Sequence, residues 1–147
     1  MEEIIASLLS NKDSRIWSVG PEATVYDAIE LMAEKAIGAL LVISEGKLVG
    51  IISERDYARK VILHGRSSKD TPVWEIMTSS LITVTPEHTV DECMRIVTQH
   101  RIRHLPVLDG DRLVGVISIG DLVNAIIAAQ AHTIDQLHTY ITGRYPG

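Results

Sequence analysis

The chain writes one pattern twice. Residues 50–56 read G-I-I-S-E-R-D and residues 115–121 read G-V-I-S-I-G-D. Residues 16–62 lie over 81–127 without a gap, and about 15 of the 47 aligned positions are identical. Pro21-Glu22 falls on Pro86-Glu87, Thr24-Val25 on Thr89-Val90, and Leu48-Val49-Gly50 on Leu113-Val114-Gly115. Ser53 and Asp56 fall on Ser118 and Asp121. A unit this short cannot bury its own apolar face, so two copies are expected to pack together.

Each copy reads as β-α-β-β-α. A short strand at Ile16 to Val19, or Ile82 to Val84, is broken by Pro. Thr24 and Thr89 follow as helix N-caps, with Asp27 and Glu92 placed for capping boxes. Val25, Ala28, Ile29, Met32 and Ala36 then recur at helical spacing, as do Val90, Cys93, Met94 and Val97. Cys93 therefore reads as core. Strands Ala39 to Ile43 and Lys47 to Ile52 join at Glu45-Gly46, and His104 to Leu108 and Arg112 to Ile117 join at Asp109-Gly110, a hairpin signal. The last helix starts near Ser53 or Ser118. It stops near Gly65 in the first copy and runs toward Gln130 in the second. Trp17 and Trp74 lie near the start of the repeats, and packing is the expected role of each.

The expected organisation is an N-terminal helix over 1–15, a first repeat over 16–65, and a linker with a helix over 66–77. A second repeat over 78–130 and a C-terminal extension over 131–147 follow. Ile4, Ile5, Leu8 and Leu9 make the N-terminal helix amphipathic, suited to covering the core or a dimer seam. Ile134, Leu137 and Ile141 predict a further helix past the second repeat.

Composition narrows the function. A net charge of −5 argues against nucleic-acid binding, which needs a basic surface. The stretch His100-Arg101-Ile102-Arg103-His104 is basic but has no aromatic platform for bases. One cysteine gives neither a disulfide framework nor a thiolate metal cage, and the six histidines show no metal spacing. M-E-E-I-I-A-S-L-L-S does not read as a signal peptide, and no apolar run is long enough for a membrane span. A cytoplasmic location is expected. No nucleophile with a companion base, metal set or Walker-type loop is visible, so the expectation is not an enzyme, with no catalytic residue and no metal.

The Ser-x-x-Asp turns admit two readings. Ser at an N-cap with Asp three residues on is a capping box and needs no ligand. The same turn offers helix N–H groups and a hydroxyl to phosphate, and a carboxylate to the two hydroxyls of a ribose.

Residues 16–130 resemble a tandem pair of cystathionine-β-synthase-type (CBS) domains, a Bateman module. G-I-I-S-E-R-D, G-V-I-S-I-G-D, R-H-L-P-V-L-D at 103–109 and V-W-E-I-M at 73–77 carry the resemblance. It implies two β-α-β-β-α repeats packed with pseudo-twofold symmetry, and a cleft between them that binds AMP, ADP, ATP, NAD or S-adenosylmethionine. By the same resemblance Asp56 and Asp121 bind ribose, and Ser53, Ser118, Arg103, His104 and Arg55 bind phosphate. Ser18, Thr83, Gly38, Ala39 and Pro106 line the cleft. The copies are unequal: Gly38-Ala39 stands against Arg103-His104, and Arg55, Arg59 and Lys60 stand against Gly120, Asn124 and Ala125.

The function implied is an adenine nucleotide-binding regulatory sensor with no catalytic cofactor. It would signal to an unknown regulated enzyme or transporter through a ligand-dependent change of conformation or dimer. The homodimer is expected through the apolar faces of the helices beginning at Ser53 and Ser118. The alternative is a constitutive protein-interaction module in which Ser-x-x-Asp is only a cap.

Overall fold

The computed structural model describes residues 3–11 and 15–142. In chain order the elements are α1 (Ile5–Ser10), β1 (Ser18–Val19), α2 (Val25–Lys35), β2 (Ala39–Ser44), β3 (Lys47–Ser53) and α3 (Glu54–Tyr57). Then come α4 (Val90–His100), β4 (His104–Asp109), β5 (Arg112–Ser118) and α5 (Ile119–Thr142). They group into a first unit, Arg15–Ile82, and a second unit made of the N-terminal segment with the chain from Thr83 onward.

In the first unit Glu45 and Gly46 both take positive φ, 51° and 77°, the twist a two-residue hairpin loop requires. They join β2 to β3 from Ala39↔Ser53 to Ser44↔Lys47, and β1 adds in parallel through Ser18↔Leu41 and Val19↔Val42. Alternation along β2 and β3 turns Leu40, Val42 and Ile52 inward, where α2 sets Val25, Ala28 and Met32 on them. Thr24 Oγ1 accepts from Asp27 N–H at 3.1 Å to start α2, the backbone half of the expected box. Ala36 lies outside the buried stripe: it takes φ 55° and ends α2, with Ile37 N–H donating to Met32 O at 3.0 Å.

The second unit repeats the hairpin and its covering helix in the same register. β4 and β5 pair from His104↔Ser118 to Asp109↔Arg112, and the irregularity between Val42 and Ile43 recurs between Val107 and Leu108. Arg101, at φ 55°, ends α4 as Ala36 ends α2. Val90, Cys93 and Val97 are buried with Leu105, Val107 and Ile117, so Cys93 is a core residue.

Four expectations are corrected. The second hairpin loop is Gly110-Asp111, because Asp109 is still paired, with Arg112. The strand expected over Ile82 to Val84 shrinks to one bridge, Val84↔Val107. Pro106 stands where Leu41 stands in the first unit. Leu41 N–H donates to Trp17 O, and Pro106 has no N–H to give. The helix expected past Gln130 is not separate: α5 runs unbroken to Thr142, since no Gly or Pro interrupts 121–142. The side chain of Ile141 and residues 143–147 lie outside the described residues, as do 1, 2 and 12–14. Trp17 packs on the first unit's core, but Trp74 is half exposed in a 3₁₀ turn, Val73–Glu75.

The repeat also reaches further than the aligned residues show. V-W-E-I-M, at 73–77, closes the first unit: Val25 N–H donates to Thr71 O, Val73 N–H donates to Ala23 O, and Val73 and Ile76 are buried. I-A-S-L-L, at 5–9, closes the second by the same bonds: Val90 N–H donates to Glu3 O, Ile5 N–H donates to His88 O, and Ile5 and Leu8 are buried. Each buried aliphatic side chain contributes about 1.5–3 kcal/mol. The N-terminal helix therefore covers a core, and that core belongs to the second repeat.

Candidate ligand site

Each unit brings the end of its hairpin to the start of its last helix. β3 stops at Ser53, still extended at φ −127° and ψ 164°, and α3 begins at the next residue. Ser53 Oγ accepts from Asp56 N–H at 3.2 Å, while Asp56 Oδ2 accepts from Ser53 N–H at 2.9 Å and Ser53 Oγ–H at 3.0 Å. In the second unit Asp121 Oδ2 accepts from Ser118 N–H at 2.8 Å and Ser118 Oγ accepts from Asp121 N–H at 3.1 Å. Both turns are complete capping boxes, so the structural role of Ser-x-x-Asp is real in each copy.

The start of the preceding strand is fixed against the same turn. Gly38 O accepts from Glu54 N–H at 3.1 Å and Arg103 O accepts from Ile119 N–H at 2.8 Å. Ala39 pairs with Ser53 and His104 with Ser118. Arg103, exposed, and His104, half-buried, are thus delivered beside Ser118 and Asp121. The first unit offers uncharged Gly38 and Ala39 at these places and carries its cations on the helical side, at Arg55, Arg59 and Lys60.

Ser18 is exposed on β1 and Thr83 is exposed just before the Val84 bridge. Among the described residues no hydrogen bond joins either to a Ser-x-x-Asp turn. Pro106 is buried, two residues along β4 from His104 and opposite Val116.

One contact at the turn was missed as a site feature. Lys60 Nζ lies 3.0 Å from Asp56 Oδ1 and donates to Ile76 O at 2.9 Å. Its spacing from Asp56 is the helical i,i+4 relation that favours such pairs, so the signal was in the sequence. Lys60 sits in a π-helical turn, Ala58–Ile62, after which Gly65 at φ 66° ends the helical stretch. In α5 the corresponding position is Ala125, inside uninterrupted α-helix.

A helix-and-hairpin module duplicated with the same Ser-x-x-Asp turn in each copy defines a tandem-repeat α/β protein. The chain belongs to the CBS domain family: residues 10–63 and 73–128 each match the CBS domain, which makes it a tandem CBS pair. It is 47% identical over 127 residues to the mitochondrial CBS domain-containing protein CBSX3 of Arabidopsis thaliana, covering 83% of this chain and 62% of that protein's length. A CBS-domain protein from Burkholderia ambifaria MC40-6 is 55% identical, with a TM-score of 0.84 over 86% of this chain and 96% of that one. The CBS domain pair of protein MJ0100, solved in complex with 5′-methylthioadenosine and S-adenosyl-L-methionine, shares the fold at 23% identity. Its TM-score is 0.78, over 88% of this chain and 99% of that one.

Proposed function

We propose that the chain is a regulatory module that binds an adenosine-containing ligand, AMP, ADP, ATP or NAD, at its Ser-x-x-Asp turns and reports it to a partner protein. The observation that carries this reading is the convergence, within one unit, of a hydroxyl, a carboxylate and two basic residues at Ser118, Asp121, Arg103 and His104. In it Asp121 and Asp56 accept from ribose hydroxyls, while Ser118, Arg103 and His104 hold phosphate, with Ser53 and Arg55 in that role in the first unit. Ser18, Thr83, Gly38, Ala39 and Pro106 contact the rest of the ligand. The adenosine compounds bound to the CBS pair of MJ0100 support the ligand class.

Signalling follows from differential affinity. A ligand that favours one of two conformations or dimer arrangements shifts their populations, and a partner enzyme or transporter reads the shift. In this reading a homodimer forms through the helical stretches after Ser53 and Ser118. The first exposes Ile62 and Leu63, and the second exposes Val123 and Ile127. No helix among the described residues is long and apolar enough to cross a membrane. The cytoplasm is the proposed location, and subcellular fractionation with mitochondria as the other outcome tests it.

A second reading, a constitutive interaction module, is favoured by the fact that both capping boxes are complete without a ligand. Thermal unfolding of nucleotide-stripped protein with AMP, ADP, ATP, NAD, S-adenosylmethionine and guanosine controls separates the two. A ligand at 100 times its Kd stabilises by about 2.7 kcal/mol. A rise in Tm with adenine ligands alone, reduced in Asp121→Ala, supports the sensor. No rise with any of them supports the constitutive module.

A further inference from the structure

Asp56 is engaged on both of its carboxylate oxygens. Asp56 Oδ2 is fully engaged by the Ser53 N–H and hydroxyl, which leaves Oδ1 as the edge available to a ligand diol. Lys60 Nζ already occupies that edge at 3.0 Å. The ammonium is held there from its other side, because it also donates to the carbonyl of Ile76, a residue buried in the closing segment of the first unit. Asp56 is the more enclosed partner, its side chain 14% exposed against 43% for Lys60. The backbone around Lys60 is the π turn that α5 lacks, and insertions of this kind recur at functional sites.

We propose that Lys60 gates the first unit's site: its ammonium competes with a ribose diol for Asp56, so ligand enters there only as Lys60 lets go. This rests on the reading of Asp56 as a ribose-binding carboxylate. The gate makes occupancy of the site sensitive to salt, since the pair is partly exposed and screened by ions. It also ties that occupancy to the closing segment, because the lysine that releases Asp56 is the one that holds Ile76 O.

Calorimetric titration with adenosine, which has the diol and no phosphate, tests the gate. Asp121→Ala protein reports the first unit's site, and Lys60→Ala and Lys60→Gln are added to it. Gln keeps a donor for Ile76 O without the charge, so it guards against a folding defect in the Ala variant. The expected result is adenosine binding up to about fivefold tighter in both Lys60 variants, the scale of a partly exposed ion pair. 2′,3′-Dideoxyadenosine should show no gain, and added salt should tighten adenosine binding only while Lys60 is present. Binding by the wild type with no gain, or a loss, in both Lys60 variants overturns the gate alone and makes Lys60 a positioning residue. No adenosine binding by the wild type or any variant overturns the ribose-site reading, and the gate with it.

Discussion

Gly50 lies so close beneath Met77 that a Cβ on it would stand 2.6 Å from Met77 Sδ and 3.0 Å from Thr78 O. Gly115 has the same relation to Leu9, whose Cδ2 would be 2.6 Å away. Each glycine of the Leu-Val-Gly strand is thus the floor on which a closing segment rests.

Gly50→Ala should destabilise the protein by about 1–3 kcal/mol, as overpacking does. Gly115→Ala should cost less, because only a mobile leucine methyl must move and no backbone oxygen lies as near. Met77→Ala should recover part of the Gly50→Ala loss. Denaturant unfolding of the three variants and the wild type checks the order.

Burial, helped by the charge of Glu92, pushes the Cys93 thiol up to about 11. At neutral pH it is a protonated thiol inside a core. Iodoacetamide should therefore leave Cys93 unlabelled in the native protein and label it in denaturant. Mass spectrometry reads the difference, and rapid native labelling would contradict the core placement.

The Thr89 N–H donates to the Glu92 carboxylate at 2.9 Å and the Thr89 hydroxyl adds to it, holding Glu92 below its ordinary 4.5. A carboxyl whose folded pKa is depressed stabilises fully above the unfolded value and loses that stabilisation as pH falls through the folded one. Glu92→Gln should therefore flatten part of the fall in Tm below pH 4.5 and leave its slope near neutrality unchanged. Thermal melts across acid pH test the sign.

Leu63 is 77% exposed and Ile127 56%. If these helical faces pair two copies, Leu63→Glu or Ile127→Glu should shift sedimentation toward the monomer. The stability of a dilute sample should change little, since neither side chain is in a core. A wild type that sediments as a monomer at high concentration removes the dimer from the proposed function.

Much of the fold was legible because duplication supplies a control. A strand or cap read in one copy could be checked at the same place in the other, and Ser53/Asp56 and Ser118/Asp121 fold as the boxes their spacing predicted. What sequence hid were effects of a single atom or partner. Pro106 shortens a ladder by lacking one hydrogen, and Ala36 leaves its stripe by taking a left-handed turn. The correspondence of Ile5 with Val73 and of Leu9 with Met77 shares too little identity to align, yet Ile5 and Val73 make the same backbone bond and Leu9 and Met77 lie against the same glycine of their strands. At the candidate site, the Ser-x-x-Asp spacing pointed to the carboxylates and the family resemblance to the basic pair, but neither pointed to Lys60's second bond to Ile76 O, which depends on a π turn that periodicity does not reveal.

The closing segments also set an order of assembly during synthesis. Everything the first unit needs, Arg15–Ile82, leaves the ribosome in one stretch, so its core can be completed while the second repeat is still being translated. The second unit cannot do this. Ile5 and Leu8 are made before the first unit, yet the strands and helices they cover are made after it. The nascent chain must hold that apolar segment uncovered while the whole of the first unit is made, which leaves it open to chaperones, proteases and mispairing before the second unit folds.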